Sequence, residues 1–161
     1  MDMSASPTEK LGNLPEWDLR VFYQGVDDPQ IAADIASLKE KVADFAKTYR
    51  GKLAEHAALS GGGDALASAI TTYEALEDRM GRIASYAGLL FATSSTVPEH
   101  ARFYGDMQTA LTELNSDLLF FGLELNGLDD KEIEQLAESS SAFTHYLPWV
   151  NDLRLHREHD L

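Results

Sequence analysis

Apolar side chains recur at alternating spacings of three and four over most of the chain, and the longest such run organises the rest. Between residues 98 and 125 the stripe is Tyr104, Met107, Leu111, Leu114, Leu118, Phe121 and Leu125. All seven fall on one face of a helix of 3.6 residues per turn. Residues 64–93 answer with Leu66, Ile70, Tyr73, Leu76, Met80, Ile83, Ala87 and Leu90. The linker between them is only Ser94-Ser95-Thr96-Val97, which forces an antiparallel hairpin with its stripes face to face. Upstream, Ile31, Ile35, Leu38, Val42, Phe45 and Tyr49 make a third stripe. No segment shows the period-two alternation of a strand, and no repeat of fixed length is present.

Local signals set the ends of these elements. Asp28-Pro29 is a helix start, with aspartate as cap and proline in the first turn. Gly51 suits the C-cap of that helix, and Lys47, Arg50 and Lys52 place positive charge at the negative end of its dipole. A further helical turn is expected over 54–59. Ser60-Gly61-Gly62-Gly63 reads as a flexible connection; a phosphate loop needs a Gly-Lys-Ser/Thr ending after a strand, and neither is present. Asp64 is expected to cap the next helix, whose polar side carries Glu74, Glu77, Asp78, Arg79 and Arg82, with Asp78 and Arg82 in register to pair. Gly81 and Gly88 lie inside that helix at about 1 kcal/mol each against alanine, which predicts close approach of another backbone there. Thr96 is a candidate cap near Pro98, and Asn126-Gly127 a stop. Asp129 is expected to cap a short helix to about 138, and Ser139-Ser140-Ser141 to break or restart the chain. Phe143, Tyr146, Leu147 and Trp149 form a last aromatic cluster around Pro148. The expected fold is all-α: antiparallel helical hairpins in a bundle, preceded by an extended aromatic arm. In that arm Trp17, Leu19, Phe22 and Tyr23 pin the chain onto the helices, an exposed aromatic binding patch being the alternative. Residues 1–12 read as a disordered tail, and residues 13–161 as one helical domain.

Composition narrows the function classes. Thirteen Lys and Arg stand against 27 Asp and Glu, a net charge of −14, which argues against nucleic acid and anionic membrane surfaces as partners. There is no cysteine, hence no disulfide, thiolate nucleophile or cysteine-bound metal. No apolar run reaches the roughly 20 residues of a membrane span, and the first ten residues lack the apolar core of a signal peptide. A cytoplasmic protein is expected.

Candidate chemistry is sparse. The histidines are His56, His100, His145, His156 and His159, and no His-Glu-x-x-His occurs among them. His156 and His159 flank Glu158 at a three-residue spacing without a clear third ligand. Asp106, Glu113, Asp117 and Glu124 share a helix but stand off its apolar stripe and read as a solvated face; the Glu-x-x-His of a di-iron bundle is absent. No serine sits in a Gly-x-Ser-x-Gly elbow. No catalytic, cofactor-binding or metal-binding residue is assigned.

Five stretches in order resemble the N-terminal region of the oligoendopeptidase F family, zinc metallopeptidases related to thimet oligopeptidase. They are Leu14-Pro15-Glu16-Trp17-Asp18-Leu19 with Phe22-Tyr23; Phe45-Ala46-Lys47-Thr48-Tyr49-Arg50-Gly51-Lys52-Leu53; Arg82-Ile83-Ala84-Ser85-Tyr86-Ala87-Gly88-Leu89; Leu118-Leu119-Phe120-Phe121-Gly122-Leu123-Glu124-Leu125; and His145-Tyr146-Leu147-Pro148-Trp149-Val150 with Leu153-Arg154. The resemblance implies a non-catalytic helical domain that walls or gates the groove of an oligopeptide-cleaving enzyme, cut short before the catalytic region. It implies zinc and its ligands in that missing region only, and short oligopeptides as the parent's substrates. The chain by itself is then expected to be inactive and, with apolar surface uncovered, to self-associate. The alternative is a free-standing helical interaction module.

Overall fold

The computed structural model describes residues 17–155. The expectations for residues 1–12, for Leu14, Pro15 and Glu16, and for His156, Glu158 and His159 lie outside them. Among the described residues there are six α-helices and one 3-10 turn, and no strand. A turn at Leu19–Val21 leads to α1 (Pro29–Tyr49), α2 (Leu53–Ala58), α3 (Gly62–Thr93), α4 (Pro98–Gly127), α5 (Asp130–Ser139) and α6 (Ser141–Arg154). The fold is all-α, and none of its helices is long and apolar enough to cross a membrane.

The predicted hairpin is α3 against α4, and ring pairs record its antiparallel register. Tyr73 stacks on Phe121 at 5.1 Å, Tyr86 meets Phe103 at 5.8 Å, and Phe91 stacks on Tyr104 at 5.0 Å. From Tyr73 to Tyr86 along α3 the partner on α4 moves back from Phe121 to Phe103, so the two helices run antiparallel. α3 is also the central element: α1, α2, α5, α6 and the 3-10 turn all pack on it. For that reason its buried set is wider than one stripe and includes Ala67, Ala69 and Tyr86 besides Leu66, Ile70, Leu76, Met80, Ile83 and Ala87. The core is densest where α1, α3 and α4 converge. There Phe121 is fully buried and sits within 5.1 Å of both Phe45 and Tyr73, centroid to centroid. Truncating such a ring costs about 3–5 kcal/mol.

Several ends follow the local chemistry. Asp28 caps α1, accepting from the Gln30 N–H at 2.9 Å, with Pro29 in the first turn. These N–H donors of Gln24 and Gln30 also hold its carboxyl below the usual carboxylate range. Gly51 ends α1 in the left-handed region at φ +74°, and Lys52 Nζ donates to the Lys47 carbonyl at 3.2 Å, satisfying a terminal acceptor. Asp129 and Glu132 form a reciprocal capping box on α5. Ser140 caps α6 through the Phe143 N–H.

Other expectations are corrected. Gly61-Gly62-Gly63 is no flexible connection. Gly61 takes φ +81° to turn the chain, and Gly62 and Gly63 are buried in the first turn of α3. A Cβ on Gly62 would lie 2.0 Å from the Ala57 carbonyl oxygen, and one on Gly63 would lie 2.5 Å from Ser140 Cβ. The close approach predicted at Gly81 and Gly88 is therefore found here: a Cβ on Gly81 would meet nothing within 4 Å, and on Gly88 only Tyr104 at 4.0 Å. Asp64, expected as the α3 cap, sits inside the first turn and accepts from the Ser140 hydroxyl, tying α3 to the start of α6. α4 is preceded by Val97 without a side-chain cap; Thr96 does not fill that role. α4 does stop at Gly127, where the Asn126-Gly127 pair places its end, but with no left-handed residue there. In the arm, the segment is a 3-10 turn instead of extended chain, and Trp17 is 70% exposed; Tyr23 is buried against Tyr86 at 5.1 Å, and Leu19 and Phe22 pack on the core part-buried, as expected. Arg82, expected to pair with Asp78, instead donates to the Val21 and Phe22 carbonyls at 2.9 and 2.7 Å and lies over the Phe22 and Tyr23 rings.

Candidate functional site

Three places on the described surface combine chemistry with shape. The first is the corner where α1 turns into α2 against α4. Glu124, read from the sequence as part of a solvated face, is structural here, whereas the Asp117 side chain stays exposed, 3.4 Å from Arg50. Glu124 accepts the Gly51 N–H at 2.6 Å and the Leu53 N–H at 3.2 Å. Arg50 donates to the Asp117 carbonyl oxygen at 2.7 Å and lies 5.0 Å over the Phe120 ring. Glu113 and Asp106 do remain on the exposed side of α4. With one backbone donor on each carboxylate oxygen, Glu124 has a holding role at this corner.

The second place is a groove along the α1–α3 seam, with a volume of about 380 Å³. Phe45 and Leu76 form its apolar floor, Lys41 and Asp44 rise from α1, and Arg79 rises from α3. Arg79 also lines a smaller cavity of about 240 Å³ with Tyr23, Asp34, Leu38 and Arg82. In that cavity Tyr23 donates its hydroxyl to Asp34 at 2.8 Å, and Gln30 donates to the other Asp34 oxygen at 2.7 Å. Burial, reinforced by the Asp34 carboxylate, pushes the Tyr23 phenol up to about 12. The sequence placed Arg79 on a polar helix side, and no local pattern joins it to Lys41, because the two meet only once α1 packs on α3.

The third place is an apolar flank shared by α4 and α6. Leu119 and Leu123 are 65% and 47% exposed on α4, and Trp149 is 38% exposed on α6. Leu153 packs over Gly122, one turn from Leu119, so α6 lies along this flank. Arg154 fixes the far end by donating to the Leu128 carbonyl at 2.9 Å and to Asp130. The expected aromatic cluster of α6 is split by depth: Phe143 is fully buried, Tyr146 bridges to Glu74 at 2.9 Å, and Trp149 faces partly outward, 6.1 Å from Tyr73.

The described histidines stand apart. His56 lies against the Tyr49 ring, His100 Nδ1 is 2.7 Å from the Ser94 hydroxyl, and His145 lies against Tyr146. Among the described residues no three His, Asp or Glu side chains come together as a metal-ligand group. Comparison with known protein families, with curated proteins and with solved structures returns no match for this chain.

Proposed function

We propose that the chain is a non-catalytic helical domain of an oligopeptide-cleaving zinc endopeptidase of the oligoendopeptidase F kind, one that walls or gates the groove admitting short peptides. One observation carries this reading. The five stretches that resemble the family are distant in sequence, yet in the fold they are the segments that grip one another. Tyr23 of the first meets Tyr86 of the third at 5.1 Å. Phe45 of the second meets Phe121 of the fourth at 5.1 Å, and Gly51 and Leu53 of the second donate to Glu124 of the fourth. Leu153 and Arg154 of the fifth reach Gly122 and the Leu125 carbonyl of the fourth. The uncovered row of Leu119, Leu123 and Trp149 suits a face completed by the rest of such an enzyme.

In this reading the domain contributes shape and exclusion. In the proposed parent enzyme, zinc would be held outside the present chain and would supply Lewis-acid polarisation of the scissile carbonyl. The proposed setting is cytoplasmic, in keeping with a chain that has no cysteine. The pure 161-residue chain is expected to leave a quenched fluorescent oligopeptide intact with or without added zinc. Chelator-sensitive cleavage by the pure chain would overturn the reading. Translation of the genomic frame beyond Leu161 to a His-Glu-x-x-His supports it, and a stop codon directly after Leu161 leaves the free-standing interaction module in its place.

A further inference from the structure

The α1–α3 groove has the size, floor and charge of a small-ligand site. Its volume, about 380 Å³, falls in the range of pockets that hold small molecules, roughly 300–1,000 Å³. The floor is apolar because Phe45 and Leu76 are core residues whose upper edges the seam leaves uncovered. The half-buried Tyr49 closes one end and Ala75 keeps one wall low. The hydroxyls of Thr48 and Thr72 line the groove too, but their protons are already donated to the Asp44 and Ser68 carbonyls, leaving only acceptor lone pairs toward a ligand. The charged donors in the groove are Lys41 and Arg79, and the Tyr49 hydroxyl is a neutral one.

The charge there runs against the chain. Overall, 13 basic residues face 27 acidic ones, yet the groove is lined by Lys41 and Arg79 against the single carboxylate of Asp44. Among the described residues neither Lys41 nor Arg79 takes part in an ion pair or hydrogen bond, whereas other arginines do: Arg20 with Asp18, Arg50 with Asp117, Arg154 with Asp130. The adjoining cavity is close to balanced: the Asp34 carboxylate, hydrogen-bonded by the neutral Tyr23 and Gln30, offsets the Arg82 guanidinium, which donates to two backbone carbonyls. An unpaired guanidinium beside an ammonium, over an apolar floor, is complementary to a carboxylate or sulfonate carried on an apolar body.

We propose that the α1–α3 groove binds a small amphiphilic monoanion, of the aryl or medium-chain carboxylate class, with its charge held by Lys41 and Arg79 and its apolar body on Phe45 and Leu76. This site is independent of the peptidase reading and stands or falls by its own test. The probes are a matched pair: 1-anilinonaphthalene-8-sulfonate and its uncharged parent N-phenyl-1-naphthylamine, titrated by fluorescence against the full chain, with decanoate as competitor. Decanoate is expected to displace the sulfonate probe from the wild-type chain. Arg79→Gln and Lys41→Gln are each expected to weaken the sulfonate by about tenfold, the scale of one lost charge-assisted contact, while leaving the uncharged parent within about twofold. Lys131→Gln, on α5 and outside the groove, is expected to change neither. Ala75→Trp, which fills the groove from its exposed wall, is expected to remove both probes. Thermal melts by circular dichroism confirm that each variant is folded. Sulfonate affinity unchanged by Arg79→Gln and Lys41→Gln, failure of decanoate to compete, or probe binding that survives in folded Ala75→Trp overturns the proposal.

Discussion

The carboxylate of Glu124 holds the backbone N–H of Gly51 at 2.6 Å, 73 residues away in sequence, and so fixes the corner between α1 and α2 onto the last turns of α4. Gly51 takes φ +74° just past the end of α1, and the extended conformation of Arg50 before it, ψ 120°, turns the Gly51 N–H out of the helix pattern toward α4. The same carboxylate accepts Leu53 N–H at 3.2 Å, so one side chain satisfies two donors that leave the helix pattern of α1 and begin that of α2.

Glu124→Gln keeps one acceptor oxygen but turns an NH2 group toward the other backbone donor. We expect a loss of about 1–2 kcal/mol in urea unfolding, the range of a charge-assisted hydrogen bond in a part-exposed site. Glu113→Gln on the exposed side of α4 is expected to stay within about 0.5 kcal/mol. Equal effects of the two would show that the Gly51–Glu124 contact contributes nothing.

The glycines separate into two kinds with opposite expected signs. Gly62→Ala drives a methyl to 2.0 Å from the Ala57 carbonyl oxygen, a backbone atom that can yield only if α2 shifts. A destabilisation of about 1–3 kcal/mol is expected, as for other forced overpacking. Gly81→Ala places its methyl in open space in mid-helix, and is expected to stabilise by about 0.5–1 kcal/mol. Chemical denaturation of the two single variants decides the point. A destabilised Gly81→Ala would mean that another surface covers that face of α3 in solution.

That contrast also marks how far the sequence could be read. The α3–α4 hairpin, the α1 stripe and the caps at Asp28, Asp129 and Ser140 were legible because each depends on neighbours within a few residues. Gly62 and Gly63 were misread as slack because their constraint comes from Ala57, Ser140 and Leu136, brought in by the fold. Tyr86 was left off the α3 stripe because α3 is buried on more than one side, and a single-stripe pattern assumes one. The candidate groove was invisible for the same reason: Lys41, Asp44 and Arg79 look like solvated helix faces until α1 lies against α3. Trp17 misled in the other direction, since aromatic character alone suggested an anchor that Tyr23 provides.

Two phenols link the fold to alkaline pH. Tyr23 is held at about 12 by burial and by Asp34, and Tyr73 at about 12 by burial and by the Glu77 carboxylate, both above the ordinary value of 10.0. In the unfolded chain both lose their protons near 10, while the native chain keeps them until about 12. The native state therefore binds more protons in that window, and its stability must fall as pH rises from 10 toward 12, while at lower pH the contribution of these groups is fully present and independent of pH. Absorbance at 295 nm should show at least two of the six tyrosines ionising late, together with or after unfolding. Tyr73→Phe, which removes a hydroxyl facing a carboxylate and leaves the ring on Phe121, should flatten the alkaline stability slope without loss at neutral pH comparable to a core truncation. A full complement of six phenols titrating near 10 in the folded protein would refute this, as would an unchanged slope in both Tyr23→Phe and Tyr73→Phe.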